Sequence, residues 1–375
     1  MPDLQTILRA ERPLTLSGVP TGFLPSLLAD LARACGSGAV YIAPDEAAMR
    51  SVGSTAPFFA PELEIVQIPA WDCLPYDRAS PTLRVMSERL AALHQLQTPA
   101  KNPRLILTTV NAATQRTLTR FRVRQLVARL EPGARIGLDK LANLLASNGS
   151  VRVNTVNDAG EFAIRGGLVD LFPSGSESGL RLDFFGDEIE SVRTFDPADQ
   201  RTTGRVPGFT LLPASEALLD EESIPRFRTR YREKFGATAT GDPLYQAISD
   251  GRRIAGMEHW LPLFEERLET LFDHLPNDAV VIRDAGVPAA SDGRFESIAD
   301  YQANRVRAQS GDPGSYRPLG QDQLYVLAEE WTKRLGEAAA HLTTPFHQPD
   351  GADTIEFAVE GPRDFAPERA SGVNV

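Results

Sequence analysis

Two hydrophobic periodicities divide the chain. Consecutive apolar residues in Ala39-Val40-Tyr41-Ile42-Ala43, Leu105-Ile106-Leu107 and Ala279-Val280-Val281-Ile282 read as strands buried on both faces, with shorter strands at Leu14 to Ser17 and Glu64 to Ile68. Helical spacing appears between them, in Leu24, Leu27, Leu28, Leu31 and Ala32 and again around Arg84 to Leu96. Strands alternating with helices predict an α/β fold with a mostly parallel, doubly wound sheet.

Between residues 160 and 196 the period changes to two. In Arg181-Leu182-Asp183-Phe184-Phe185, Leu182 and Phe184 take one face and Arg181, Asp183 and Phe185 the other. Gly186-Asp187 supplies a turn, and Glu188 to Phe195 reads as the return strand of a hairpin. Upstream, Phe162 and Ile164 alternate with Ala163 and Arg165, which turns Arg165 outward before the Gly166-Gly167 break; Pro173 to Ser176 close the segment as a loop. Phe185 is thus a large ring among charges, either covered by another part of the fold or left for a partner.

The 375 residues, 42% apolar, have room for two or three domains with real cores. The formal charge of −11 argues against a stand-alone nucleic-acid binder, which needs a basic surface to displace phosphate counterions. Cys35 and Cys73 have no paired spacing and no nearby histidine cluster, which suggests neither a disulfide framework nor a metal site and favours a reducing cytosol. No run reaches bilayer length and the N-terminus lacks a signal-peptide core, so the expectation is a cytoplasmic protein without membrane contact.

Two stretches sit where nucleotide chemistry would be. A phosphate-binding loop needs glycines for close backbone approach, a lysine for the charge and a hydroxyl for magnesium. In Ser17-Gly18-Val19-Pro20-Thr21-Gly22-Phe23-Leu24, Ser17 replaces the first glycine, Gly22 matches the second, Phe23 replaces the lysine and Leu24 the hydroxyl residue. After the strand Ala279 to Ile282, where a helicase places carboxylates for magnesium, the chain reads Arg283-Asp284, so a cation stands in the way and only Asp284 could contribute. Neither place is expected to bind nucleotide or metal, and no catalytic residue is assigned. His259 has no second ligand at metal spacing, and Trp71 and Tyr76 read as core rings at a loop. The arginines from Arg120 to Arg135 could track phosphates, but read better as a solvated edge, as does a charged helix from Pro225 to Lys234.

The run from Arg165 through Gly166, Asp170, Phe172 and Pro173 to Asp183-Phe184-Phe185-Gly186-Asp187 closely resembles domain 2 of the excision-repair protein UvrB and of transcription-repair coupling factors. Trp71-Asp72-Cys73-Leu74-Pro75-Tyr76-Asp77 with Ser80-Pro81 resembles the coupling factors rather than UvrB, whose long tyrosine-rich hairpin for threading DNA is absent here. The resemblance implies a RecA-like first domain with a degenerate nucleotide site, carrying an inserted, smaller, β-rich α+β domain. It divides the chain into 1–118, the UvrA-binding domain 2 at 119–214, the rest of the first domain at 215–345, and a linker or the start of a further domain at 346–375. It also implies docking onto UvrA through Arg165, Arg181 and Phe185. Full-length members add an ATP- and magnesium-dependent double-stranded DNA translocase and contacts to RNA polymerase, and none of those motifs occurs in this chain. The implied role is an adaptor that links stalled polymerase to nucleotide excision repair. The alternatives are a UvrB-type, ATP-dependent damage-loading subunit and a DNA-binding module built on the Arg120 to Arg135 stripe.

Overall fold

The computed structural model describes residues 4–236, 240–309, 314–349 and 351–359. In chain order the strands are β1 (Thr15–Ser17), β2 (Ala39–Ala43), β3 (Glu64–Ile68), β4 (Arg104–Thr109), β5 (Ala128–Leu130), β6 (Val151–Arg152), β7 (Glu161–Arg165), β8 (Leu168–Leu171), β9 (Gly179–Phe185), β10 (Glu188–Phe195), β11 (Thr202–Arg205), β12 (Phe209–Leu211), β13 (Val280–Arg283), β14 (His341–Thr343) and β15 (Thr354–Glu356). The outer groups, β1 to β4 and β13 to β15, form one seven-stranded sheet in the order β15-β1-β14-β13-β2-β4-β3, with every pairing parallel. Parallel strands need crossovers, which here, apart from the one from β14 to β15, are helical and lay apolar faces on both sides of the sheet. Val40, Ile42 and Ile106 join one apolar cluster, while Tyr41, Leu105 and Leu107 point the other way into a second.

The middle of the chain makes a separate sheet, β11-β10-β9-β8-β7-β6, antiparallel except for β6 beside β7. Its inner face, with Phe162, Val169, Leu180, Leu182 and Val192, packs against Leu141 and Leu145 of the helix Leu138–Ser147. β5 and β12 pair antiparallel as a two-stranded ribbon where the chain enters and leaves this part. Behind that ribbon Glu216 is buried and accepts hydrogen bonds from the Trp71 indole and from Arg89 of the helix Leu83–Leu96. Trp71 and Tyr76 are both core rings, as the sequence suggests.

Two expectations are corrected. The chain past residue 345 is not simply a linker, because β15 hydrogen-bonds along the edge of β1 and Phe357 is buried beside Phe23; residues 360–375 lie outside the described residues. The arginine-rich helix, Ser223–Phe235, is not a solvated rod. Phe227 and Tyr231 are fully buried, and Arg226 and Arg230 donate to the main-chain carbonyls of Phe264 and Pro262, so half of the charged-looking face is a packed one.

Candidate partner-binding site

Strand alternation and one bulge build a polar outer face on the antiparallel sheet. Arg165 lies opposite Leu168, Leu168 opposite Asp183, and Asp170 opposite Arg181, so these side chains share the face away from the core. In β10 the register shifts between Ile189 and Ser191, which leaves Glu190 as an extra residue. A one-residue shift exchanges faces, so Ile189 and Val192 both point inward while Ser191, Arg193 and Phe195 join the outer face. Gly179 makes room there: a Cβ at this position would stand 2.3 Å from the Phe195 ring.

The carboxylate at the centre is Asp170, whose side chain is only 5% exposed. Arg181 gives it both prongs, with Nε 2.7 Å from Oδ1 and Nη2 2.9 Å from Oδ2. Arg165 Nη2 approaches the same Oδ2 at 3.4 Å. The Arg181 guanidinium also lies over the Phe195 ring at 5.0 Å, and its Nη1 donates to the Gln200 carbonyl. The hydrogen bond to Asp170 raises the Arg181 pKa above its ordinary value. Beside this cluster, Asp183 accepts from Arg193 at 2.6 and 2.8 Å and from the Ser191 hydroxyl; burial raises its pKa, but these bonds outweigh burial and leave the carboxyl below its ordinary range.

The three residues singled out from the sequence are therefore on one face but differ in availability. Phe185 stands at the hairpin turn with 82% of its surface exposed. The Arg165 side chain is 52% exposed, whereas that of Arg181 is 16% exposed and already paired. Asp170, which pairs with both arginines, is not among the residues singled out from the sequence. The signal was present in Leu168-Val169-Asp170-Leu171, where a carboxylate interrupts an otherwise apolar strand.

The stretch from Ser17 to Leu24 is packed by its own chain. Gly18 N–H donates to Phe346 O and Val19 N–H to Thr344 O, while Phe357 N–H donates to Ser17 O. The Ser17 hydroxyl donates to Glu356, which also contacts His347. Phe23 packs on Phe357, and Leu24 opens a helix with its side chain buried; Gly22 is exposed, with nothing within 4 Å of where a Cβ would stand. At the other motif, Asp284 accepts from Tyr41 OH and from Gly286 N–H, both at 2.8 Å. The Arg283 Nε is buried without a hydrogen-bond partner, and desolvation lowers the guanidinium pKa. His259 is buried against Trp71, 3.9 Å from the Cys73 sulfur; burial pushes the imidazole down to about 4 and the thiol up to about 12. Among the described residues no group of three or more metal-ligating side chains exists, and no helix is long and apolar enough to cross a membrane. The arginine stripe is broken up by pairing of Arg122 with Asp220 and Glu265, Arg129 with Glu131, and Arg135 with Glu188.

Residues 128–216, the span of this sheet with its helix and ribbon, match the UvrB interaction domain. Over a longer stretch the chain is similar to transcription-repair-coupling factors. It is 37% identical to that of Haemophilus influenzae across 72% of its length, 35% to that of Escherichia coli across 85%, and 34% to that of Myxococcus xanthus across 78%. It spans about a quarter of the length of these relatives, covering 23%, 28% and 26% of them.

Proposed function

We propose that this chain is the UvrA-recruiting region of a transcription-repair coupling factor, a cytoplasmic adaptor that brings excision repair to stalled RNA polymerase. The observation that carries the reading is Phe185, a large ring left bare at a hairpin turn within the segment matching the UvrB interaction domain. An exposed aromatic anchor flanked by arginine is the composition of a binding hot spot. The action is binding. Phe185 enters an apolar socket on UvrA and Arg165 meets a carboxylate at its rim, with Arg181 completing the same face.

No nucleotide or metal takes part within this chain. The Gly18 and Val19 N–H groups, which a phosphate loop would offer to a ligand, donate to the Phe346 and Thr344 carbonyls, and the Ser17 hydroxyl donates to the Glu356 carboxylate. ATP, magnesium, RNA polymerase and double-stranded DNA are assigned to the parts of a coupling factor beyond the quarter this chain spans. Capture of the purified chain on immobilised UvrA tests the reading: wild type is retained and Phe185→Ala combined with Arg165→Ala is not. Wild-type retention of the double variant would remove this face from the interface. A saturable signal with a fluorescent ATP analogue would favour the UvrB-type reading, and a salt-sensitive shift of a DNA band would favour the DNA-binding one.

A further inference from the structure

The outer face offers a partner fewer free cations than its sequence suggests. A guanidinium has two edges that can meet a carboxylate with two parallel bonds, Nε with Nη2 and Nη1 with Nη2, and Arg181 has committed the first to Asp170. Its Nη1 approaches the Gln200 carbonyl at 3.4 Å, and one face of its plane lies over the Phe195 ring. Gln200 is itself held in a left-handed conformation, φ 63°, by side-chain bonds to the carbonyls of Val156 and Pro197. Arg165 reaches the same Asp170 oxygen only at the long distance of 3.4 Å and keeps half of its side chain in water. Asp170 therefore touches both cations while being too buried to touch a partner.

We infer that Asp170 is the positioning residue of the UvrA-binding face: its carboxylate locks Arg181 inward as a strut and aims Arg165 outward as the charge that meets the partner. This rests on the function proposed above and deepens it, because the matching surface on UvrA then needs one carboxylate beside the Phe185 socket rather than two. Arg181 acts through Asp170.

Titration calorimetry of UvrA with the whole chain tests this, alongside thermal melts and the arginine Nε–H signals in a nitrogen-15 spectrum. Asp170→Asn is expected to weaken UvrA binding about tenfold, with Asp170→Glu recovering part of the loss. Arg181→Ala combined with Asp170→Asn should bind no more weakly than Asp170→Asn alone, as members of one unit do. In the free wild-type chain the Arg181 Nε–H should exchange slowly, and this protection should vanish in Asp170→Asn. If Asp170→Asn fails to fold, Arg181→Lys replaces it, because a lysine keeps the charge without the fork and should give a similar loss. Asp170→Asn binding as well as wild type, losses that add in the double variant, or a rapidly exchanging Arg181 Nε–H would each overturn the inference. If Phe185→Ala loses binding while Asp170→Asn keeps it, the inference fails alone. If the wild-type chain does not bind UvrA, the proposed function fails and takes this role with it.

Discussion

Arg89 and Glu216 form an ion pair whose side chains are both fully buried, with Nε 3.0 Å from Oε1, and it ties the helix Leu83–Leu96 to the chain just after it leaves the inserted domain. Arg89 Nη1 donates to the Pro69 carbonyl at 2.7 Å and the Trp71 indole donates to Glu216, so the pair is the centre of a network joining three segments. Glu216→Ala strands the arginine in an apolar setting and should cost about 3–5 kcal/mol. Urea denaturation followed by circular dichroism measures it, and Arg89→Met with Glu216→Leu should recover most of the loss.

Phe185 predicts a separation of binding from stability. Its ring is almost wholly in water, so Phe185→Ala should leave the urea midpoint unchanged while weakening UvrA binding by about 2 kcal/mol, roughly thirtyfold. Arg165→Ala should cost less, but should flatten the dependence of affinity on salt, since an exposed cation acts through a screened field. Calorimetry at two salt concentrations separates the two effects.

Acid should loosen the parallel-sheet domain before it disturbs the domain 2 surface. His341 of β14 accepts the Leu14 N–H at Nδ1, 3.1 Å away, and burial pushes its pKa down to about 4. His259 is lowered to about 4 by the same cause. A folded pKa below the unfolded value of about 6.5 means that the unfolded chain binds more protons between these limits. Stability is therefore complete above about pH 6.5 and is lost as pH falls toward 4, by on the order of 2 kcal/mol for each imidazole. Melting temperatures from pH 8 to 4 should fall along that window, and His259→Phe should make the fall shallower.

Gly18 is predicted to be intolerant of any side chain. Its φ is +67° and a Cβ would stand 2.4 Å from the Phe357 carbonyl oxygen, so Gly18→Ala combines backbone strain with a clash against main chain. The expected cost is about 2 kcal/mol or more. Hydrogen exchange should report it locally as faster exchange of the Phe357 N–H, which bonds to Ser17 O across the β1–β15 edge. The same variant should gain no affinity for ATP, because the lysine and hydroxyl positions remain Phe23 and Leu24.

Much of this architecture was legible in the chain because period and punctuation are local. The apolar runs of β2 and β4, the alternation of β9 and the Gly186-Asp187 turn each specify conformation within a few residues. The bulge at Glu190 was not legible, since simple alternation from Ile189 would place Arg193 and Phe195 on the inner face. The helix Ser223–Phe235 misled for a related reason: its arginines look solvated until carbonyls from residues far along the chain come to meet them.

The sequence by itself determined that a parallel sheet and a stretch of period-two strands share the chain, that the two places where nucleotide chemistry would sit lack its side chains, and that Arg165, Arg181 and Phe185 point outward. Only the tertiary structure decided which of them is free. Asp170 is five residues from Arg165 and eleven from Arg181, and strand pairing brings one buried carboxylate to both. Availability for a partner is a matter of which bonds are already made, and those bonds cross between strands, where spacing along the chain carries no record of them.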